Sequence, residues 1–85
     1  MASDHIPPWD PDAVGAAYVY AAMADHLAAR IAAGELTERL PGEAALSSEY
    51  GVALGTVRRA LDVLRDRGLV VTLPAKGTFV VHPEA

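Results

Sequence analysis

Apolar residues in the first half of the chain recur at steps of three and four. Ala16, Tyr20, Met23, Leu27 and Ile31 fall on one stripe, which predicts a helix over residues 13–33. Asp12 is placed to cap it, and Gly34 stands where a helix C-terminus takes a left-handed residue. Gly15 weakens the first turn. A loop follows over residues 35–41, anchored by Leu36 and Leu40. Gly42 is the N-cap of a short second helix, Glu43–Tyr50, whose expected inward face is Ala45, Leu46 and Tyr50. Glu43 suits the positive end of that helix dipole, and Gly51 closes it. A third helix is expected over residues 54–67. Its buried stripe is Val57, Ala60, Leu61 and Leu64, and Gly68 stops it. The pattern then becomes β-rich in LVVTL (69–73) and TFVVH (78–82). Turn residues 74–77 lie between them, so the two runs form a hairpin. The fold class is mainly α with a small β-hairpin.

Composition bounds this picture without changing its order. A chain of 85 residues makes one small domain. Such a domain buries only about 60–65% of its unfolded surface. Three of the six prolines and three acids fall in residues 1–12, which read as a flexible Pro/Asp-rich arm. The domain proper is residues 13–82, and residues 83–85 are a tail. Trp9 in the arm either packs on its own domain or reaches a second chain. Cysteine is absent, which excludes disulfides and thiolate metal sites. There is no 18-residue apolar run and no secretory pattern at the N-terminus, so the expected location is the cytoplasm, off any membrane.

Charge sharpens the functional reading. The net charge is −4, yet the distribution is uneven. Residues 1–50 carry two arginines against eight acids, a balance of −6. Residues 51–80 carry five cations against two acids, a balance of +3. The second half is therefore the end that would face a polyanion, unless Arg58 and Arg59 are spent on local pairs with Asp62 and Asp66. Residues 51–69 read as a turn, a helix with Arg58 and Arg59 near its start, and a glycine stop. In a helix-turn-helix, the front of such a helix meets base edges in the major groove. Gly55, Thr56, Arg58 and Arg59 stand there. Adjacent residues project about 100° apart, so the two arginines have different tasks. One takes a guanine edge and the other a phosphate. Arg59 holds the backbone or pairs with Asp62 or Asp66. Gly55 either allows close backbone approach or is tolerated in a frayed first turn. Lys76 and Gly77 sit at the hairpin tip, and Arg39 precedes the second helix, where a phosphate contact is available.

From Tyr20 to Val80 the chain resembles the N-terminal DNA-binding domain of GntR-type bacterial transcription regulators. The resemblance is carried by YAAMADHLAARIAAGEL, RLPGEAALSSEYGV, GTVRRALDVLRDRGLV and KGTFV, in this order. It implies a winged helix-turn-helix, three helices plus a wing, acting as a dimer on an imperfect palindrome. In that family the second helix opens with a Leu-Pro-Ser-Glu-Arg string, whose serine caps and whose arginine contacts DNA. Gly42 and Ala44 occupy those places here. The third helix usually opens with Ser-Arg before Thr-Val-Arg, whereas Ala53, Leu54 and Gly55 stand here. Thr56, Arg58 and Arg59 remain from the helix motif, and Lys76-Gly77-Thr78 from the wing. The resemblance places Arg58 on the family's usual DNA-contacting arginine. The family's C-terminal effector or oligomerisation domain has no counterpart in these residues, so the chain is a stand-alone regulator or a fragment.

Two functions are therefore weighed. The first is a sequence-specific regulator, in the repressor sense, with residues 54–67 in the major groove and the wing, 73–78, on the backbone or minor groove. Its partners are double-stranded DNA and a second copy of the chain. Tyr18, Val19, Ala22 and the Trp9 arm are the candidate dimer surface. The second is a winged-helix protein-interaction module that has lost DNA affinity, which the acidic first half and an exposed Leu54 would suit. An enzyme is not expected. His5, His26 and His82 are scattered, Ser47 and Ser48 have no base beside them, and no phosphate loop appears. No cofactor or metal is expected, because His82 and Glu84 lack further ligands.

Overall fold

The computed structural model describes residues 6–10 and 18–82. Helices α1 (Val19–Ala32), α2 (Glu43–Tyr50) and α3 (Leu54–Asp66) precede strands β1 (Val70–Leu73) and β2 (Gly77–Val80). Helix α2 has the expected bounds, and α3 ends at Asp66, one residue before the expected end. Asp12 and Ala16, expected to cap and stripe the first helix, lie outside the described residues. One core joins all five elements. Met23, Ala24 and Leu27 of α1 meet Leu46 and Tyr50 of α2, the whole stripe Val57, Ala60, Leu61 and Leu64 of α3, and Val70 and Val80 of the hairpin. Ala45 is exposed, against the expected inward face. A helix of only two turns presents a narrow buried edge, and Leu46 and Tyr50, four residues apart, fill it.

Ser47 shapes the turn between α2 and α3. Its carbonyl accepts from Gly51 N–H at 2.9 Å and from Val52 N–H at 3.1 Å. Its hydroxyl donates to the Val52 carbonyl. The chain reverses at Gly51, where φ is +68°, a left-handed conformation that costs a side chain about 1 kcal/mol or more. Ser47 is thus the staple of the helix-turn-helix.

The hairpin is antiparallel, pairing Val70 with Val80, Val71 with Phe79, Thr72 with Thr78 and Leu73 with Gly77. Both strands sit slightly away from their expected spans, because Gly77 pairs with Leu73 and belongs to β2 rather than to the turn. The loop before α2 is also drawn into the sheet. Leu40 N–H donates to Thr78 O and Val80 N–H to Glu38 O, each at 2.8 Å, so Arg39 bridges to Phe79 on the free edge of β2. His82 Nε2 donates to Thr37 O at 2.7 Å and extends the same seam.

The segment 6–10 lies across the junction of α1 and α2. Trp9 Nε1–H donates to Tyr50 O at 2.7 Å, satisfying a carbonyl at a helix end that has no intrahelical partner. The Trp9 and Tyr50 rings meet edge to face at 5.0 Å. Beneath them runs a directed chain of hydrogen bonds. Arg30 only donates, and its Nη1 gives to Tyr50 Oη at 3.0 Å. Pro7 O only accepts, and His26 Nε2 gives to it at 2.9 Å. The Tyr50 hydroxyl therefore donates to His26 Nδ1 at 2.8 Å, which sets the imidazole tautomer. Arg30 is 9% exposed and is balanced by Glu35 at 3.0 Å and Glu49 at 3.2 Å. Burial pushes the Tyr50 phenol above its ordinary value, against the opposing pull of the Arg30 guanidinium.

Two stability measurements test these assignments. Tyr50→Phe leaves His26 Nδ1 without its partner and Arg30 Nη1 with Glu49 alone, and is expected to cost about 1–3 kcal/mol in denaturant titration. Because the folded phenol titrates above the unfolded one, wild-type stability falls as pH rises beyond about 10, and that fall is absent in Tyr50→Phe. Separately, Ala75 at the hairpin tip has φ of +64°. Ala75→Gly relieves this and is expected to add about 0.5–1 kcal/mol, raising the melting temperature by about 2–8 °C.

Candidate nucleic-acid interface

Burial of the α3 stripe decides what the helix shows to solvent. With Val57, Ala60, Leu61 and Leu64 inward, the opposite arc presents Gly55, Arg58, Arg59, Asp62, Arg65 and Asp66. Leu54, at the front of the helix, is 42% exposed, and Thr56 is half-buried. Ala53 is the N-cap and offers no side-chain hydrogen bond, so the front N–H groups of α3 are not screened from that side. Gly55 is fully outward. A Cβ there would meet nothing within 4 Å, so the fold itself has no need of glycine at this position.

The cations divide into those with an acid partner and those without. Arg67 pairs with Asp25 at 2.8 Å, tying the end of α3 to α1. Arg65 pairs with Asp62, and its Nη1 also donates to Thr72 Oγ1 at 2.7 Å. Thr72 and Thr78 share a hydrogen bond at 2.9 Å, so Arg65 braces the wing against α3. Arg58 gives its Nε to Glu43 Oε1 at 3.0 Å, which leaves both terminal nitrogens available on a side chain that is 61% exposed. Arg59 takes neither Asp62 nor Asp66. Its guanidinium lies over the Tyr20 ring, 3.9 Å from the centroid, while Asp62 is held by Arg65. Among the described residues, Arg39, Arg59 and Lys76 have no carboxylate within ion-pair distance.

Arg39 and Gly77 form one unit. A Cβ on Gly77 would stand 2.7 Å from Arg39 Nε, and Gly77 has φ of +119°. The missing side chain is the seat of the guanidinium. Arg39 thus belongs to the wing as much as to the start of α2, and a cleft of about 230 Å³ separates the two. Lys76 is exposed beside it. The structure brings Arg39, Gly77 and Lys76 together at the wing. It brings Gly55, Thr56, Arg58 and Arg59 together on the front of α3.

Three contributors were missed in the sequence. Tyr20 read as a stripe residue but supports Arg59; Glu43 read as a dipole partner but holds Arg58; Thr72 passed as a neutral strand residue. Arg65 with Asp62 is a three-residue step that was legible. Glu43 and Arg58 are fifteen residues apart and carry no local signal. Elsewhere, His82 is engaged by Thr37 O, and Glu84 lies outside the described residues. Trp9 of the expected dimer surface sits on its own domain, Tyr18 is 70% exposed, and Val19 and Ala22 are half-buried. Among the described residues, no helix is long and apolar enough to cross a membrane.

Transcription regulators are among the proteins similar to this chain. The chain is 39% identical over 64 residues to the mannosyl-D-glycerate transport/metabolism system repressor MngR of Escherichia coli, covering 73% of the chain and 27% of that protein. The structure of YtrA from Sulfolobus acidocaldarius, a GntR-family transcription factor, superposes with a TM-score of 0.72 at 33% identity, over 91% of this chain and 82% of that one. The DNA-binding domain of AraR in complex with operator ORX1 gives a TM-score of 0.69 at 30% identity, over 73% and 77% of the two chains. The chain spans about a quarter of the length of the curated relatives it matches. Its three helices and hairpin are those of a winged helix-turn-helix. The profile of the bacterial regulatory proteins, gntR family, matches residues 19–80, and the chain belongs to that family.

Proposed function

We propose that residues 13–82 are the operator-binding unit of a cytoplasmic transcription repressor. The observation that carries this reading is the placement of its unneutralised cations. Arg59 on α3 and Arg39 and Lys76 on the wing have no carboxylate partner among the described residues, although the chain as a whole is acidic. Helix α3 enters the major groove. The two terminal nitrogens of Arg58 take a guanine edge, with Glu43 fixing the guanidinium from behind. Thr56 meets a phosphate or a thymine methyl. Arg59, Arg39 and Lys76 hold the phosphate backbone, the last two from a wing on which Gly77 seats the Arg39 guanidinium. One domain makes few contacts, so two copies bind together on an imperfect palindrome, with half-sites about one helical turn apart. Operator DNA bound to the AraR domain supports the docking mode. The work is recognition rather than catalysis.

Selection from random duplexes followed by titration tests this. With three to five phosphates neutralised per domain, log K is expected to fall against log salt with a slope of about −3 to −4.5. Arg58→Ala is expected to cost about 1–3 kcal/mol and relax one base position. Absence of any salt-dependent DNA binding by wild type at micromolar protein rejects the proposal and favours a protein-interaction module, with Leu54 in its contact face.

Gly55→Ala separates stability from binding. The site is open, so the variant is expected to be more stable than wild type by up to about 1 kcal/mol. If α3 lies against DNA as proposed, the same variant binds selected DNA more weakly. Equal binding would mean that Gly55 faces away from the groove.

A further inference from the structure

Resting on the DNA-binding reading, we infer that Tyr20 is a positioning residue: it holds the Arg59 guanidinium as a fixed fork for one DNA phosphate. The Cζ of Arg59 lies over the Tyr20 ring, 3.9 Å from its centroid. Stacking uses the face of a guanidinium and leaves its N–H edge free. No hydrogen bond or ion pair takes that edge up among the described residues. The acid nearest in sequence, Asp62, is removed from competition by Arg65, and the first turn of α1 contains no acidic residue. Arg58 differs on each point. Its Nε is bonded to Glu43, and it carries no aromatic platform.

Position then selects the ligand. Tyr20 is the second residue of α1, so the stack spans from α1 to the second turn of α3. Arg59 is turned about 100° from Arg58 and stands on the flank of the helix that faces α1. A cation beside a groove-bound helix meets the wall of the groove, which is phosphate, while the residue at the front meets base edges. A planar fork with its face already covered binds a phosphate through two parallel N–H···O contacts and loses little freedom in doing so. The ring, and not the hydroxyl, is what this arrangement requires of Tyr20.

The test compares Tyr20→Phe, Tyr20→Leu and Arg59→Ala with wild type on the DNA selected above, across a salt series. Tyr20→Phe keeps the ring and is expected to match wild type in affinity and salt slope. Tyr20→Leu is expected to bind about threefold to tenfold more weakly, with the slope shallower by up to about 0.9, toward the value of Arg59→Ala. In the Arg59→Ala background, Tyr20→Leu should add nothing. NMR of the free proteins supplies a readout independent of DNA. The Arg59 side-chain protons are expected to be shifted upfield by the ring in wild type and Tyr20→Phe, and to return to ordinary positions in Tyr20→Leu. Wild-type affinity in Tyr20→Leu overturns the inference and leaves DNA binding standing. Equal losses in Tyr20→Phe and Tyr20→Leu also overturn it, since the hydroxyl would then be the contact. If wild type itself binds no DNA, the functional reading falls and the phosphate role of the stack falls with it.

Discussion

Everything this domain displays depends on which side of α3 is buried. Four residues, Val57, Ala60, Leu61 and Leu64, enter the core at helical spacing and leave the helix no rotational choice. Three of them, Val57, Ala60 and Leu64, are fully buried, and Met23, Leu27 and Leu46 of α1 and α2 are equally closed to solvent. A core this small tolerates little slippage, because each apolar side chain is a large share of its total. Turning α3 by one residue would expose the stripe and bury arginines. The outward arc is therefore as firmly set as the core, although it makes few contacts of its own.

Charge on that arc is organised by subtraction. Counting cations in the second half suggests a broad basic surface, yet Arg65 and Arg67 are pinned by Asp62 and Asp25 to neighbouring parts of the fold. Such exposed pairs contribute little stability, roughly 0–1 kcal/mol each. Their effect is on geometry: one braces the wing through Thr72, and the other fastens the end of α3 to α1. The cations that remain are few and separated, on the front of α3 and at the wing. An acidic chain with a small, localised set of free guanidinium groups attracts polyanions weakly at long range and selectively at short range.

The α-helical part of the fold was legible because its physics is local. Residues 43–50 lie between Gly42 and Gly51, and residues 54–66 carry a three-and-four apolar period that Gly68 brings to a stop. Residues 38–40 were not legible as sheet. Their hydrogen bonds run to Thr78 and Val80, far along the chain, and a single bridge at Arg39 has no periodicity to read. The site divides the same way. Arg58 and Arg59 stood out from their place at the head of a helix. What separates them, Glu43 beneath one and Tyr20 beneath the other, depends on how α1 and α2 cross α3, and no spacing along the chain encodes that. Arg39 was noticed for its charge, but its seat on Gly77 appears only once the hairpin folds back.

The seam between residues 37–40 and 78–82 bears on how the domain comes into being. Three hydrogen bonds join the loop before α2 to the last strand: Leu40 to Thr78, Val80 to Glu38, and His82 to Thr37. Contacts of such long sequence separation form late, since the intervening chain must first be closed into a loop. During synthesis the three helices leave the ribosome before β2, whose Thr78 and Val80 complete the seam. The helix-turn-helix and the wing consequently form one cooperative unit. Arg39 gains its orientation in the same closing step, so the wing cations are set in place only in a chain that has finished folding.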